Sequence, residues 1–507
     1  MLDYTIVLFF VGVTFLIGIW ASRNNRTLDD YFLGGREFPW WLLLGSIIAT
    51  ETSVVTFLSV PGSVAIAGGN LDFIQLTFGF AIGRILVALC FVPRLFTGTR
   101  FSIYELTGQR FGRQIQRVAS TTFLFARTLS DGLRLYLAAL VLQVVFGIRL
   151  EICVLICGIL TITYTWLGGF RGVVLNDCLQ LLIYTLAGIT AWFVLVGTLG
   201  WDAIYQYGIT EGKWHWLSLS TNFTQKYTLW SGIYGGMFLS LATHGADQMM
   251  AQRYLAARTQ REAALAVGLS GFVVIGQFLF FLLLGVGLGL WKQQILPDVD
   301  LNADQIFAKF MVLGLPSGLT GLALAGVAAA AMSTLSSSLN SSATTFLADW
   351  LGYNDHEKEK PQQMPRLSRW LTAVFGGIQM CVALLAGWCF TPDSSVVTGV
   401  MAVASYTTGL LLGLLVLCFY PRQLSSRSVM AAFLVGLITM TLIRFLTNIA
   451  WPWHALLGTA FVAGFGILFS ALFHGRSPLD RSSRGTNLLI QIPLKPNVTT
   501  HNSPLYR

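Results

Sequence analysis

The sequence predicts an all-α polytopic membrane protein of about 13 transmembrane helices, and three observations carry that prediction. Only 11% of the 507 residues are charged and 54% are hydrophobic, whereas a soluble domain has about a quarter of its residues charged. Runs such as YTIVLFFVGVTFLIGIWA (4–21) and GFVVIGQFLFFLLLGVGLGLW (271–291) are long enough to cross a hydrocarbon core roughly 30 Å thick as helices. Such runs recur along the chain, separated by short polar connectors.

Taken in order, the apolar runs place helices at 4–22, 38–62, 72–97, 116–146, 150–169, 175–199, 229–251, 264–291, 316–349, 367–390, 395–420, 427–446 and 453–473. The first lacks the basic start and small-residue cleavage site of a signal peptide: Asp3 precedes it, Arg23 and Arg26 follow it, and a retained span is expected. With the N-terminus outside, 23 of the 32 Lys and Arg residues fall on the cytoplasmic side, including Arg253, Arg258, Arg261, Lys358, Lys360 and five in the tail. The long connectors 200–228 and 292–315 then lie outside, so an N-out, C-in chain in a cell membrane, the bacterial inner membrane, is expected. The formal charge of +9 is assigned to this topology and not to nucleic acid. Seven scattered cysteines form neither a metal spacing nor a secreted framework and read as packing residues.

Two spans look interrupted. GSIIATETSVVTFLSVPG (45–62) is rich in small and polar residues and closes on Pro61-Gly62. Five spans later, SGIYGGMFLSLATHGADQMMAQRYL (231–255) contains Gly235-Gly236 and the polar group His244, Gly245, Asp247, Gln248. A broken helix frees carbonyls that lipid cannot satisfy, so it lines a cavity or binds an ion. Two successive five-helix blocks have opposite orientations automatically, the arrangement of an inverted repeat. The expected organisation is a first helix and connector (1–37), repeat 1 (38–199), an external loop (200–228), repeat 2 (229–420), two additional helices (421–474) and a disordered cytoplasmic tail (475–507).

The stretch AAAAMSTLSSSLNSSATTF (328–346) carries hydroxyls on nine of its last fifteen residues. On a helix, Ala330, Ser333, Thr334 and Ser337 share a face, with Ser336 beside it. Such a face suits a small hard cation, and equally suits back-bonding and close helix packing. The ionisable residues within spans are Glu51, Arg84, Arg127, Asp131, Arg134, Asp177, Asp247 and Arg444, each a functional candidate because of its cost in lipid. Asp131 and Arg134 are expected to satisfy each other. Glu51 is expected at the cavity, with Arg84, Arg127 or a cationic solute as partner. His244 is either a site residue or a packing residue. No phosphate-binding loop, paired-histidine metal helix or nucleophile elbow occurs, so neither ATP-driven transport nor an enzyme is expected.

DDYFLGGREFPWW (29–41), FSIYELTGQRFG (101–112), YTWLGGFRGVVLNDCLQ (164–180), DQMMAQRYLAA (247–257) and AAAMSTLSSSLNSSATTFLAD (329–349) resemble, in order, the patterns of the sodium/solute symporters, which include carriers of glucose, proline, pantothenate, iodide and sialic acid. The resemblance extends to about residue 420. It implies a leucine-transporter-like fold, with the second to sixth and seventh to eleventh helices as two inverted five-helix repeats. It also implies a sodium site formed by the carbonyls of Ala49, Thr52 and Ala330 and the hydroxyls of Ser333 and Thr334. Asp177, Ser336 and Ser337, with Ser333 shared, match a second sodium site that some members have.

ATETSVVTF (49–57) is similar to the corresponding part of sialic acid carriers, which puts Ser53, Thr56 and Thr77 in the solute cavity with Glu51 and His244. The arginine that grips the sialic acid carboxylate is replaced by Ser130, and Glu51 resembles the acid of proline carriers. The resulting expectation is a secondary active importer of a small organic solute (a sugar, sugar acid, amino acid or similar), with sodium as coupling ion and no other cofactor. A proton-coupled symporter is the near alternative, and a channel or sensor the distant one.

Overall fold

In the structure, a computed structural model, the described residues are 1–23, 25, 27–96, 100–352, 364–389 and 396–474. Among them the chain is helical, with no strand beyond one isolated bridge between Phe38 and Ala257. Each predicted membrane stretch is helical over most of its described length. The tail 475–507 lies outside the described residues, as do Arg26, Lys358 and Lys360 of the expected basic connectors.

The elements are α1 (Leu2–Ser22), α2 (Leu28–Leu33), α3 (Trp40–Glu51), α4 (Val60–Ala65), α5 (Ile74–Leu86), α6 (Glu105–Phe111), α7 (Arg113–Phe146), α8 (Leu150–Leu199), α9 (Trp201–Thr210), α10 (Met237–Gly245), α11 (Gln248–Leu255), α12 (Gln260–Ile295), α13 (Ala303–Leu313), α14 (Leu319–Thr345), α15 (Met364–Cys389), α16 (Val396–Phe419), α17 (Ser426–Leu446) and α18 (Pro452–His474). Nine helices among the described residues are long and apolar enough to cross a membrane. The pair α3 and Val55–Ala65, bent by 64°, makes a tenth if taken as one span.

The predicted spans 150–169 and 175–199 form one helical element of 50 residues, α8, broken inside at Gly169 (φ 57°, ψ −159°). That backbone geometry is open essentially only to glycine, so the turn falls between two spans without a separate loop. Four helices, α2, α6, α9 and α13, lie where connectors were expected. Helix α9 follows Gly200, and α13 starts at a capping box in which the Asn302 side chain and the Gln305 side chain satisfy each other's backbone amides, a local signal that favours a helix start.

Packing is tightest where glycine removes the side chain. A Cβ on Gly79 of α5 would sit 2.1 Å from the Gly232 carbonyl oxygen, in the turn that leads into α10. Small residues at such crossings let backbones meet, which is how membrane helices associate without a hydrophobic driving force. Helix α14 runs against α8, α7 and α1, and from Ala329 to Thr345 its residues are buried. Asp3 of α1 accepts from the amides of Gly318 (2.8 Å) and Gly321 (2.7 Å), capping the start of α14. Of the cysteines, Cys153, Cys157 and Cys418 are buried in the packing, whereas Cys90, Cys381 and Cys389 are exposed on helix surfaces.

Candidate functional site: two broken spans against a hydroxyl helix

Helix α3 ends because its backbone turns away from the ladder. Thr52 leaves the helical region (φ −77°, ψ 74°) and the Ser53 amide donates to the Glu51 carbonyl at 2.9 Å. The Ala49 carbonyl loses the amide four residues on, and among the described residues no backbone bond reaches the Thr52 carbonyl either. The span resumes as a π-helical turn, Val55–Ser59, before α4. The second broken span interrupts at Ala246, between α10 and α11, and Asp247 caps α11 by accepting from the Met249 amide at 2.8 Å.

The hydroxyl helix meets the first break directly. Thr334 Oγ1 donates to the Thr50 carbonyl at 2.9 Å, and Thr334, Thr50 and Thr52 are each about 1% exposed. Ser333 Oγ donates to Asp177 Oδ1 at 2.7 Å. Of the first ion set, the broken end with Ala49 and Thr52 and the α14 residues are therefore joined at Thr50–Thr334, with Ala330 fully buried one turn before. Thr50 itself was not anticipated. The Thr52 hydroxyl donates back to the Ile48 carbonyl (2.8 Å), so its proton is used within α3.

Around Asp177 the structure brings together more than was anticipated. Arg253, assigned from sequence to a cytoplasmic connector, is instead fully buried. The interruption before α11 carries it inward, to the middle of four helices. Its Nη2 donates to Asp177 Oδ2 (2.9 Å), to Ser337 Oγ (2.6 Å) and to Thr50 Oγ1, its Nε to Ser46 Oγ (2.9 Å), and its Nη1 to the Met249 carbonyl (2.7 Å). Ser46 and Thr50 also donate to Asp177 Oδ2. The carboxylate is thus met by one guanidinium and three hydroxyls. Ser337 belongs to this cluster, whereas Ser336 donates back to the Ser333 carbonyl at 3.1 Å. A buried carboxylate requires a paired cation, and that requirement was the signal in the sequence that could have led to Arg253.

Next to the Asp177–Arg253 cluster a cleft opens between the broken spans, α5, α7, α12 and α16. Glu51, Ser53, Thr56, Arg127, Ser130, Arg134, His244 and Asp247 line it, with Phe73, Phe80, Phe123 and Phe278 as apolar wall. Glu51 pairs with Arg84, which is fully buried and also donates to Ser270 Oγ at 3.1 Å. Arg127 pairs with Asp247, and Asp131 is shared between Arg134 and Arg127 (3.6 Å). The expected Asp131–Arg134 pair is present, as part of a four-member chain. His244 faces the cleft and is held by Thr243. Thr77 does not line the cleft; its hydroxyl donates to the Ile74 carbonyl at 2.7 Å. Arg444 is exposed near the end of α17 and takes no part.

The chain as a whole is similar to known proteins. The model of the sodium:solute symporter family matches residues 31–436. The sodium/sialic acid symporter SiaT of Proteus mirabilis is 24% identical over 93% of this chain and 95% of its own length. The sodium/glucose cotransporter of Vibrio parahaemolyticus is 28% identical over 69% of this chain and 68% of its own. A solved structure of a Na+-coupled sialic acid symporter, substrate-bound and outward-open, superposes with a TM-score of 0.83 at 24% identity, covering 93% of this chain and 98% of that one. The nucleobase-cation-symport-1 transporter Mhp1 in a closed conformation follows at a TM-score of 0.57 and 13% identity, covering 89% of this chain and 96% of its own. With four-fifths of its length matched by the family model, the chain belongs to the sodium:solute symporter family, and it is a sodium-coupled symporter.

Proposed function

We propose that this symporter imports a small polar organic solute of no net charge, one sodium ion per turnover, by alternating access between two inverted five-helix repeats (38–199 and 229–420). Helices 421–474 lie outside the repeats, and 1–37 precede them. The single observation that carries the ion assignment is the Thr334 hydroxyl at 2.9 Å from the Thr50 carbonyl, beside carbonyls of Ala49 and Thr52 that no backbone amide satisfies among the described residues. A hard cation takes oxygen ligands, and the neutral set Ala49, Thr52, Ala330, Ser333 and Thr334 replaces its water shell with oxygens that add no charge of their own. Sodium there ties the broken span to α14, holding the outward-open form until the solute binds. Import then follows the sodium gradient in an N-out, C-in chain of a cell membrane, as the basic connectors suggest.

The solute assignment rests on charge balance. In and around the cleft, Glu51, Asp131 and Asp247 are matched by Arg84, Arg127 and Arg134. Among the described residues no unmatched charge is left there to select an ion. Ser53, Thr56 and Ser130 line the cleft and leave their hydroxyls to a solute. The relatives named for sialic acid and glucose support a polar organic solute.

A second sodium at Asp177, Ser333, Ser336 and Ser337 is the competing reading. The guanidinium of Arg253 stands against it, because it already supplies to Asp177 and Ser337 the positive charge that an ion would bring. The test is uptake into proteoliposomes with the reversal potential measured against the sodium gradient. A ratio of one sodium per solute fits the first reading, and a ratio of two fits the second. Uptake that ignores sodium and follows pH overturns both.

A further inference from the structure

The cleft contains two adjacent buried atoms that no charge balance accounts for. Arg84 holds Glu51 Oε1, and Glu51 Oε2 has no hydrogen-bond partner among the described residues; the same is true of His244 Nε2, on a side chain only 2% exposed. The two orphans are 3.9 Å apart, one from each broken span, and both residues line the cleft.

The hydrogen-bond network fixes what these atoms want. Thr243 Oγ1 has a single proton, which it donates to the Leu239 carbonyl at 3.0 Å. Its contact with His244 Nδ1 at 3.1 Å therefore has the ring nitrogen as donor, and in a neutral imidazole the other nitrogen is then an acceptor. Glu51 Oε2 and His244 Nε2 are thus two acceptors facing one spot. At 3.9 Å they are close enough for one nitrogen, about 2.9 Å from each, to donate to both. A hydroxyl has one proton and leaves one buried acceptor unmet.

We infer that the transported solute presents a nitrogen bearing at least two N–H bonds to Glu51 and His244: a primary amide, or the ammonium of a zwitterion. This inference rests on the reading that the cleft is the solute site. A buried acceptor left without a donor is costly, and the nitrogen compound is expected to bind on the order of ten- to a hundredfold more tightly than its oxygen analogue.

The experiment is thermal stabilisation of the purified full chain in sodium and in potassium, with matched probes: L-alanine against L-lactate, and nicotinamide against methyl nicotinate. Stabilisation by sodium alone tests the ion site and is read first, so its failure is separable from failure of the solute assignment. Expected is that at least one nitrogen member, and no oxygen partner, adds a sodium-dependent shift. In Glu51→Gln, Arg84 holds the amide oxygen and turns the NH2 into the cleft, so the ranking reverses. His244→Leu, which removes one acceptor, narrows the preference to a few-fold. Variants that keep the sodium-only shift are folded. An oxygen member that binds as well as its nitrogen partner, a panel in which no nitrogen member binds, or a ranking unchanged in both folded variants overturns the inference.

Discussion

Arg253→Gln tests the ion assignment most directly. The side chain is fully buried and donates to Asp177, Ser337, Thr50, Ser46 and the Met249 carbonyl. The shorter Gln leaves the Asp177 carboxylate with three hydroxyl donors and no cation. Removing one partner of a buried ion pair costs about 3–5 kcal/mol. The vacated space is bounded by one carboxylate and the hydroxyls of Ser46, Thr50, Ser333 and Ser337, an oxygen set suited to a hard cation. Sodium that binds there at about 100 times its dissociation constant returns about 2.7 kcal/mol, so more than half of the loss is recoverable with salt. The assay is thermal stability of purified protein across a sodium titration, with potassium as the ionic-strength control, followed by the reversal potential. The variant is expected to be less stable at low sodium, to gain more from sodium than the wild type, and to move from one toward two sodium ions per solute. Arg253→Gln combined with Asp177→Asn removes both charges and recovers stability without sodium. A wild-type ratio of two, or a single variant whose sodium dependence matches the wild type, refutes the reasoning.

The remaining predictions concern the other contacts described above. Thr334→Ala and Ser333→Ala raise the half-saturating sodium concentration of uptake at least about tenfold, the loss of one charge-assisted contact, while Thr334→Ser keeps it within a few-fold; unaltered sodium dependence in both alanine variants removes the site. Gly79→Ala places a methyl 2.1 Å from the Gly232 carbonyl oxygen and costs about 1–3 kcal/mol of overpacking, read as a lowered midpoint in thermal melts. Asp3→Ala takes two acceptor bonds from the start of α14 and costs about 0.5–2 kcal/mol, whereas Asp3→Asn retains most of the stability; equal losses in the two variants would point away from capping.

The sequence makes the membrane class and the two interruptions legible because both are written in composition: few charges, long apolar runs, and small polar residues where a span breaks. Glu51 could be placed at a cavity for the same reason, and Arg84 was among its anticipated partners. Arg253 was not legible. It stands where a helix-end basic residue normally serves topology; the need of Asp177 for a cation pointed to some partner, but the local break at Ala246, which folds α11 back into the protein, is what selects Arg253. Thr50 was missed because one of its contributions is a carbonyl, which every residue has, and the other is a hydroxyl whose partners, Asp177 and Arg253, come from distant parts of the chain. Thr77 was placed by similarity, but its hydroxyl is consumed one turn back, a local competition that spacing does not reveal. Helices α9 and α13 lay in stretches read as connectors because they are too short to span a membrane, although the capping box at Asn302 was present in the sequence.

The isolated bridge at Phe38 has a mechanical consequence. The Phe38 amide donates to the Ala256 carbonyl at 3.3 Å, and the Arg258 amide donates to the Phe38 carbonyl at 3.2 Å. Phe38 leads into α3 and Ala256 closes α11, so the ends of both broken spans that lie away from the breaks are stitched together, backbone to backbone, at one rim. Side-chain rotation cannot release such a stitch. At that rim the two spans form a single leaf, and neither swings alone without parting both bonds, so a passage opened there is opened by the pair.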